Sequence, residues 1–104
     1  STTNLSEEEI ERACADAARY ESEENRRLEL VEIRNEAESL VYSVEERLDK
    51  AKSSMDRGVY KQIRADKDEL KKMVVKTSPE RITEMEAGRI KEAMEVLRAS
   101  SARL

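Results

Sequence analysis

The sequence feature that most limits the fold is an apolar repeat between residues 30 and 51, a stretch that contains no glycine and no proline. Its members alternate in steps of three and four residues, which is the spacing of one face of an α-helix. The repeat lasts for about three heptads, so it predicts a long helix that packs against other helices. Its members are Leu30, Ile33, Ala37, Leu40, Val44, Leu48 and Ala51.

Composition also favours an all-α fold. Charged residues make up 42% of the chain, while there are only two glycines and one proline. That composition suits solvated helices and leaves almost no turn chemistry for a sheet of several strands. With 104 residues and neither Phe nor Trp, the chain can form one modest domain with a thin core.

Capping signals predict where the first helix begins. Ser6 and Glu9 match a capping box, and Leu5 and Ile10 match a hydrophobic staple across the same boundary. This helix is expected to end at about Tyr20.

Two further helices follow in the predicted order. Ser22 is the expected cap of the second helix, which runs to about Ala51 after a kink or short break. The sequence Ser53-Ser54-Met55-Asp56 supplies the next break and cap, and the third helix is expected to end near Lys76.

The fourth helix is predicted to open within Thr77-Ser78-Pro79-Glu80. Either Ser78 or Thr77 can be its cap, and both alternatives remain open. Gly88 is expected to bend or split this helix, since glycine in a helix interior costs about 1 kcal/mol relative to alanine. The predicted buried side comprises Ile82, Met85, Ile90, Ala93, Met94 and Leu97.

These elements predict a single subdomain with two main parts. A connector covers residues 1–5, a helical arm covers 6–38, an antiparallel three-helix bundle covers 39–99, and a frayed end covers 100–104. A helix over 22–51 would be roughly 45 Å long. Because this exceeds the width of so small a domain, part of the arm is expected to project.

Charge and hydropathy disfavour nucleic acid and membranes as partners. Residues 1–25 carry eight acidic residues against two arginines, and the remaining residues carry sixteen against eighteen basic ones. Basic and acidic residues are interleaved along the helices, so no stripe of one sign matches a phosphate backbone or an anionic membrane. No apolar run is long enough for a signal peptide or a membrane span.

The chain lacks the residues that catalysis and cofactor binding need. It has no histidine and no glycine-rich phosphate loop, and the acidic neighbours of Cys14 disfavour its thiolate. Consecutive acids such as Glu7, Glu8 and Glu9 point in different directions on a helix, so they do not form a metal site. We therefore expect no enzyme activity and no cofactor, and a lone cysteine fits a reducing compartment.

Two segments of the chain resemble a known family. They are Leu5-Ser6-Glu7-Glu8-Glu9-Ile10-Glu11-Arg12 and Arg34-Asn35-Glu36-Ala37-Glu38-Ser39-Leu40-Val41-Tyr42, and the charged run Glu23-Glu24-Asn25-Arg26-Arg27 lies between them. At this separation they are similar to the helical lid of the peptide-binding domain in seventy-kilodalton heat-shock proteins of the DnaK type. The resemblance covers essentially the whole chain and is greatest to bacterial and organellar members.

The resemblance implies a function. The chain would be the lid of an ATP-dependent chaperone, closing over unfolded hydrophobic peptide that a β-sandwich holds and slowing its release. ATP and Mg²⁺ would bind the nucleotide-binding domain of a parent ATPase. Expected partners are that domain, the sandwich, co-chaperones and, indirectly, client peptides; the expected location is the cytoplasm or a mitochondrial or other organellar matrix.

The resemblance also implies a latch between lid and sandwich. Glu38 and Tyr42 match the positions whose polar contacts hold family lids shut, where bacterial members commonly carry Asp and His. Arg34 and Asn35 belong to the same motif, and Glu24 matches an acidic position that faces the sandwich. Glu38 could instead pair with Arg34 on its own helix.

One surface would be left uncovered if the sandwich were absent. The stripe of Ile10, Ala13, Cys14 and Ala17 is then expected to fray or to drive self-association of the isolated chain. Periodicity alone leaves one alternative, a free-standing helical-bundle or coiled-coil interaction module.

Overall fold

The computed structural model describes residues 6–104, which form three helices: α1 (Glu7–Ala51), α2 (Arg57–Lys76) and α3 (Glu84–Ser100). Each helix packs against the other two. α2 runs antiparallel to α1, and α3 runs antiparallel to α2. The predicted all-α helical bundle is confirmed, while Leu5 and the rest of the predicted connector lie outside the described residues.

The start of α1 agrees with the sequence. The Oγ of Ser6 accepts a hydrogen bond from the backbone N–H of Glu9 at 3.1 Å, which satisfies one of the exposed donors of the first turn. Three acidic residues occupy that turn and Lys50 occupies the last one, an arrangement that the helix macrodipole favours.

The predicted break between Tyr20 and Ser22 is wrong. Helix α1 continues through both residues and spans 45 residues without interruption. A serine preceded and followed by glutamates can cap a helix, but it is also tolerated inside one. Because neither glycine nor proline lies between residues 7 and 51, nothing in the chain compels the helix to end.

The boundaries predicted for the next helix are confirmed. Asp56 caps α2, its Oδ2 accepting from the N–H of Val59 at 3.1 Å. At the other end, the Oγ1 of Thr77 donates to the carbonyl of Met73 at 2.7 Å, and its N–H donates to the carbonyl of Val74. Thr77 therefore ends α2.

The start predicted for the last helix is wrong by several residues. Thr77 is occupied as the C-cap of α2, and the N–H of Arg81 closes a turn onto the carbonyl of Ser78 at 3.1 Å. The cap is instead Thr83, which forms a complete capping box with Glu86. Sequence reasoning selected the Pro79 signal over this second box, although both have the required spacing.

Two further expectations for α3 are corrected. The helix runs through Gly88 unbroken, and a Cβ added there would meet no atom within 4 Å. Met85 is 67% exposed because it lies in the first turn of a helix that begins at Glu84, and Ala87 is buried in its place.

The core follows the predicted repeat of α1, with Val41 as an addition. One cluster joins all three helices, and a smaller one joins α1 to the start of α3. The larger cluster consists of Ala37, Val41, Val44, Leu48, Ile63, Leu70, Val74, Ile90, Met94 and Leu97, and the smaller of Leu30, Ile82 and Ala87.

The molecule is elongated, measuring 80 × 21 × 19 Å. Every residue from Ser6 to Arg26 is exposed, and Leu30 is the first buried residue of α1. The guanidinium of Arg26 grips the carboxylate of Glu84, with Nε to Oε2 at 2.6 Å. About 20 residues of α1 thus project beyond the bundle. The predicted boundary between a helical arm ending at residue 38 and a bundle starting at residue 39 stays a prediction.

Candidate functional site on the outer face of the long helix

Helix α1 carries two apolar lines on opposite sides. Leu30 is 5% exposed within the bundle, whereas Leu28 is 51% exposed. Residues two apart on an α-helix lie about 200° from each other. The chain therefore holds the bundle with one side of α1 and presents the other to solvent.

The exposed line has a regular spacing. Ile10, Ala17, Leu28 and Tyr42 follow one another at steps of 7, 11 and 14 residues, which are about two, three and four turns at 3.6 residues per turn. We call the side of α1 that carries these four residues the outer face. The sequence analysis missed Leu28 because it looked only for the apolar line that packs in the bundle. The same helical periodicity could have identified the exposed apolar line as well.

The predicted latch residues can now be placed on α1. Glu24 precedes Leu28 by four residues, and Glu38 precedes Tyr42 by four, so both share the outer face with those side chains. Asn35 precedes Tyr42 by seven residues and lies on the same side. Arg34 is the exception, since it is turned sideways toward α2.

The contact surface at Glu38 and Tyr42 combines polar and apolar groups. Their side chains are largely exposed, and beside them a groove of about 210 Å³ runs between α1 and α2. Val75, itself 74% exposed, forms the α2 side of this groove. A carboxylate and a phenol next to an apolar shelf can bind a basic or polar group together with an apolar side chain.

Arg34 makes its principal contact within the bundle. Its Nε donates to the carbonyl of Thr77 at 2.8 Å, and only 15% of its side chain is exposed. Its Nη1 also reaches Oε2 of Glu38 at 3.3 Å and Oδ1 of Asn35 at 3.4 Å. Arg34 thus connects the end of α2 to α1, and it also contacts the outer-face side chains of Asn35 and Glu38.

Glu24 is paired locally. Arg27 grips its carboxylate with two hydrogen bonds, at 2.7 and 3.1 Å, and the bond from Arg27 lowers the pKa of Glu24. Since both groups lie on the solvated arm, the pair contributes little to stability.

The stripe of Ile10, Ala13, Cys14 and Ala17 lies exposed on the projecting part of α1, and its predicted fraying or self-association stays a prediction. Ile10 is 48% exposed, and Ala13, the free thiol of Cys14, and Ala17 are exposed as well. Tyr20, at 71% exposure, continues this surface toward Leu28. No contact within the described chain covers any of these side chains.

Residues 6–104 offer neither a metal cluster nor a membrane span. No three His, Cys, Asp or Glu residues among them converge as ion ligands. None of the three described helices combines the length and apolar character needed to cross a bilayer.

The geometry defines a three-helix bundle with a long projecting helix, one face of which is exposed to solvent. A family model described as "Hsp70 protein" matches residues 1–103. The chain is 33% identical to the chaperone protein DnaK of Thermoplasma acidophilum over 81 residues, which is 78% of this chain and 13% of that protein. No solved structure matches the chain.

The chain belongs to the Hsp70 family, which is a family of chaperones. It spans only a small part of the length of the curated relative that it matches.

Proposed function

We propose that this chain is the helical lid of a chaperone of the Hsp70 family, and that the outer face of α1 closes over a β-sandwich holding unfolded hydrophobic peptide. The observation that carries the proposal is the second apolar line of α1, which the bundle leaves exposed. A helix of a free-standing bundle needs only one apolar side. The second line therefore supports a partner surface along α1, and family membership supports a chaperone context.

Within the outer face, Glu38 and Tyr42 form the latch. One oxygen of Glu38 accepts from Arg34, and no other donor of the described residues reaches its Oε1. That oxygen is available to a donor on the sandwich. Tyr42 can donate or accept one turn further along, and Asn35 extends the polar line on the other side.

A latch of one or two bonds has the right strength for a gate. A hydrogen bond to a charged group contributes roughly 1.5–3 kcal/mol, and about 1.4 kcal/mol changes an equilibrium tenfold. Such a latch would slow peptide release by about one to three decades. It remains weak enough for a conformational change elsewhere in the protein to open it.

Other parts of the parent protein would supply the remaining functions. ATP and Mg²⁺ would act in a nucleotide-binding domain, since this chain has no glycine-rich phosphate loop and residues 6–104 contain no cluster of metal ligands. The parent would then be an ATPase with co-chaperones and client peptides as partners. We place it in the cytoplasm or in an organellar matrix.

The test is the release rate of a labelled hydrophobic peptide from the peptide-binding sandwich of a relative, fused to this chain or left without a lid. We expect the fused lid to slow release by about tenfold or more. Glu38→Ala and Tyr42→Ala should each recover part of the lidless rate. Added salt should weaken the Glu38 contribution because it screens an exposed ionic contact.

Glu92→Ala is the matched control for Glu38→Ala. Glu92 is an exposed glutamate as well, but it belongs to α3 and so lies outside the outer face of α1. Its loss should leave release unchanged. Equal release from fused and lidless proteins would reject the lid, and slowing that persists in both latch variants would reject the latch alone.

A further inference from the structure

The projecting part of α1, residues 7–26, is an acidic surface without a partner. It carries eight acidic residues against three arginines, and every one of its residues is exposed. We call this segment the acidic arm. It also carries the apolar start of the outer face, from Ile10 to Tyr20.

The opposite end of the molecule carries the complementary charge. A groove of about 410 Å³ lies at the turn between α1 and α2, and the residues that line it include no acid. Its four cations form no ion pair within the described part of the chain. We call it the tip groove, and its lining residues are Lys52, Met55, Arg57, Tyr60, Lys61 and Arg64.

The tip groove has an acidic neighbour in Asp56, the N-cap of α2, whose Oδ2 accepts from the N–H of Val59 at 3.1 Å. This carboxylate complements the macrodipole at the start of α2, but it forms no ion pair with the four cations of the groove. Those four like charges around Met55 and Tyr60 repel one another, and an acidic partner would relieve the repulsion.

The two charged surfaces cannot meet within one molecule. They lie at opposite ends of a structure 80 Å long, and α1 is a continuous helix between them. A second copy that runs antiparallel brings each arm beside the tip of the other. The axis relating the copies then passes near Leu28, close to the midpoint of α1.

The outer face connects the two ends along this path. Tyr42 lines the same groove as Lys52, Tyr60 and Arg64, and the acids Glu45, Glu46 and Asp49 line it as well. The apolar line of α1 therefore reaches the tip groove across a surface of mixed charge. If the contact is a strip about 10 Å wide along the 80 Å length of the molecule, the surface buried on the two copies together is on the order of 1,600 Å². That area is typical of a specific protein interface.

We infer that the chain forms an antiparallel homodimer in which the acidic arm of each copy docks on the tip groove of the other. The outer faces of the two α1 helices pack between these charged contacts. Self-association of this kind requires no sandwich, so it can hold whether or not the chain is a lid. If the chain is a lid, a sandwich bound to the outer face excludes the dimer.

Charge reversal tests the pairing by sedimentation equilibrium. One variant reverses the arm (Glu8→Lys, Glu9→Lys and Glu11→Lys), and the other reverses the tip (Arg57→Glu, Lys61→Glu and Arg64→Glu). Each variant alone places like charges together at both contacts, so its dissociation constant should rise by at least about tenfold relative to the unmodified chain. An equimolar mixture of the two should form a heterodimer, because both contacts are then complementary.

Cys14 reports the direction of the helices. In the antiparallel dimer its two copies lie roughly 45 Å apart along α1, too far for a disulfide. In a parallel coiled coil they would lie side by side. Oxidation should therefore fail to cross-link the dimer, and rapid cross-linking would overturn the antiparallel arrangement.

Three other results would overturn the inference. The first is an unmodified chain that stays monomeric up to near-millimolar concentration at low salt. The second is association that neither reversal weakens, and the third is a mixture that fails to associate while circular dichroism shows both variants folded.

Discussion

At the scale of single residues, Arg34 illustrates what a motif leaves undetermined. Its position in the Arg34-Asn35 pair suggests a surface contact, yet its guanidinium donates to the carbonyl of Thr77 across the bundle. The motif gives the identity of the residue but not the direction of its side chain. That direction depends on where α2 ends, which a local pattern does not contain.

Replacing Arg34 should destabilise the bundle. Arg34→Ala removes a charge-assisted hydrogen bond to the end of α2, and we expect the free energy of unfolding to fall by about 1.5–3 kcal/mol. Urea denaturation followed by circular dichroism measures the change. Arg89→Ala is the control, since Arg89 is exposed and reaches only the sulfur of Met85; equal losses would mean that the Thr77 contact contributes nothing.

A second residue-scale feature is the ionic group between α1 and α2. Glu45 accepts from Lys71 at 2.9 Å and from Lys67 at 3.4 Å, and Lys67 also donates to Asp68 at 2.6 Å. The hydrogen bond from Lys71 is the main reason that the pKa of Glu45 is lowered. Burial alone would lower the pKa of Lys67, but its bonds to Asp68 and Glu45 outweigh burial and raise it.

Acid should therefore weaken the packing of α1 on α2. A carboxyl whose pKa is lower in the folded state stabilises the fold above its unfolded pKa, near 4.5 for Glu45, and this contribution is lost as pH falls through the folded pKa. We expect Glu45→Gln to cost up to about 1 kcal/mol at neutral pH and nothing at pH well below that value.

Denaturation curves at neutral and acidic pH give this difference directly. Glu92→Gln, at an exposed position of α3, should show no such pH-dependent cost. A cost for Glu45→Gln that is the same at both pH values would contradict the ionic explanation.

At the scale of elements, the helix interiors were predictable and the helix ends only in part. The repeat from Leu30 to Ala51 predicted the packed side of α1, because heptad spacing and burial have the same physical cause. Both boundary errors arose at a capping signal that the sequence offers and the chain does not use. Ser22 offers a cap that the chain does not use, and Thr83 offers one that displaces Pro79.

The continuity of α1 leads to a prediction for the arm. Proline in a helix interior costs about 3 kcal/mol, so Ser22→Pro should interrupt α1 at the point where the break was first expected. Because the arm is fully exposed, the bundle should keep its melting temperature while far-UV circular dichroism loses part of its helical signal.

Hydrogen exchange would locate the change caused by Ser22→Pro. Amides of the arm should exchange faster, whereas those of the core helices should stay protected. Ser22→Ala is the control and should preserve the arm. A comparable fall in bundle stability would show that arm and bundle unfold as one unit.

At the scale of the whole molecule, residue patterns predicted the bundle better than the site. The proposed latch residues Glu38 and Tyr42 came from a resemblance, and the structure adds that they share a face with Leu28. A sequence search for the buried line passes over a second, exposed line, because it assumes that each helix has one apolar side. The opposite charges of the acidic arm and the tip groove were not predicted for another reason. The two surfaces are distant in sequence, and their positions at opposite ends of the molecule are known only from the structure.

The unbroken length of α1 also has a mechanical consequence. Its 45 residues make a helix roughly 67 Å long, and neither glycine nor proline interrupts it. A tilt of about 10° at its first turn would move the far end by roughly 12 Å, which is more than the diameter of a helix backbone. A small rotation of α1 at its first turn would therefore move the bundle, which lies at the other end of the helix, by a large distance.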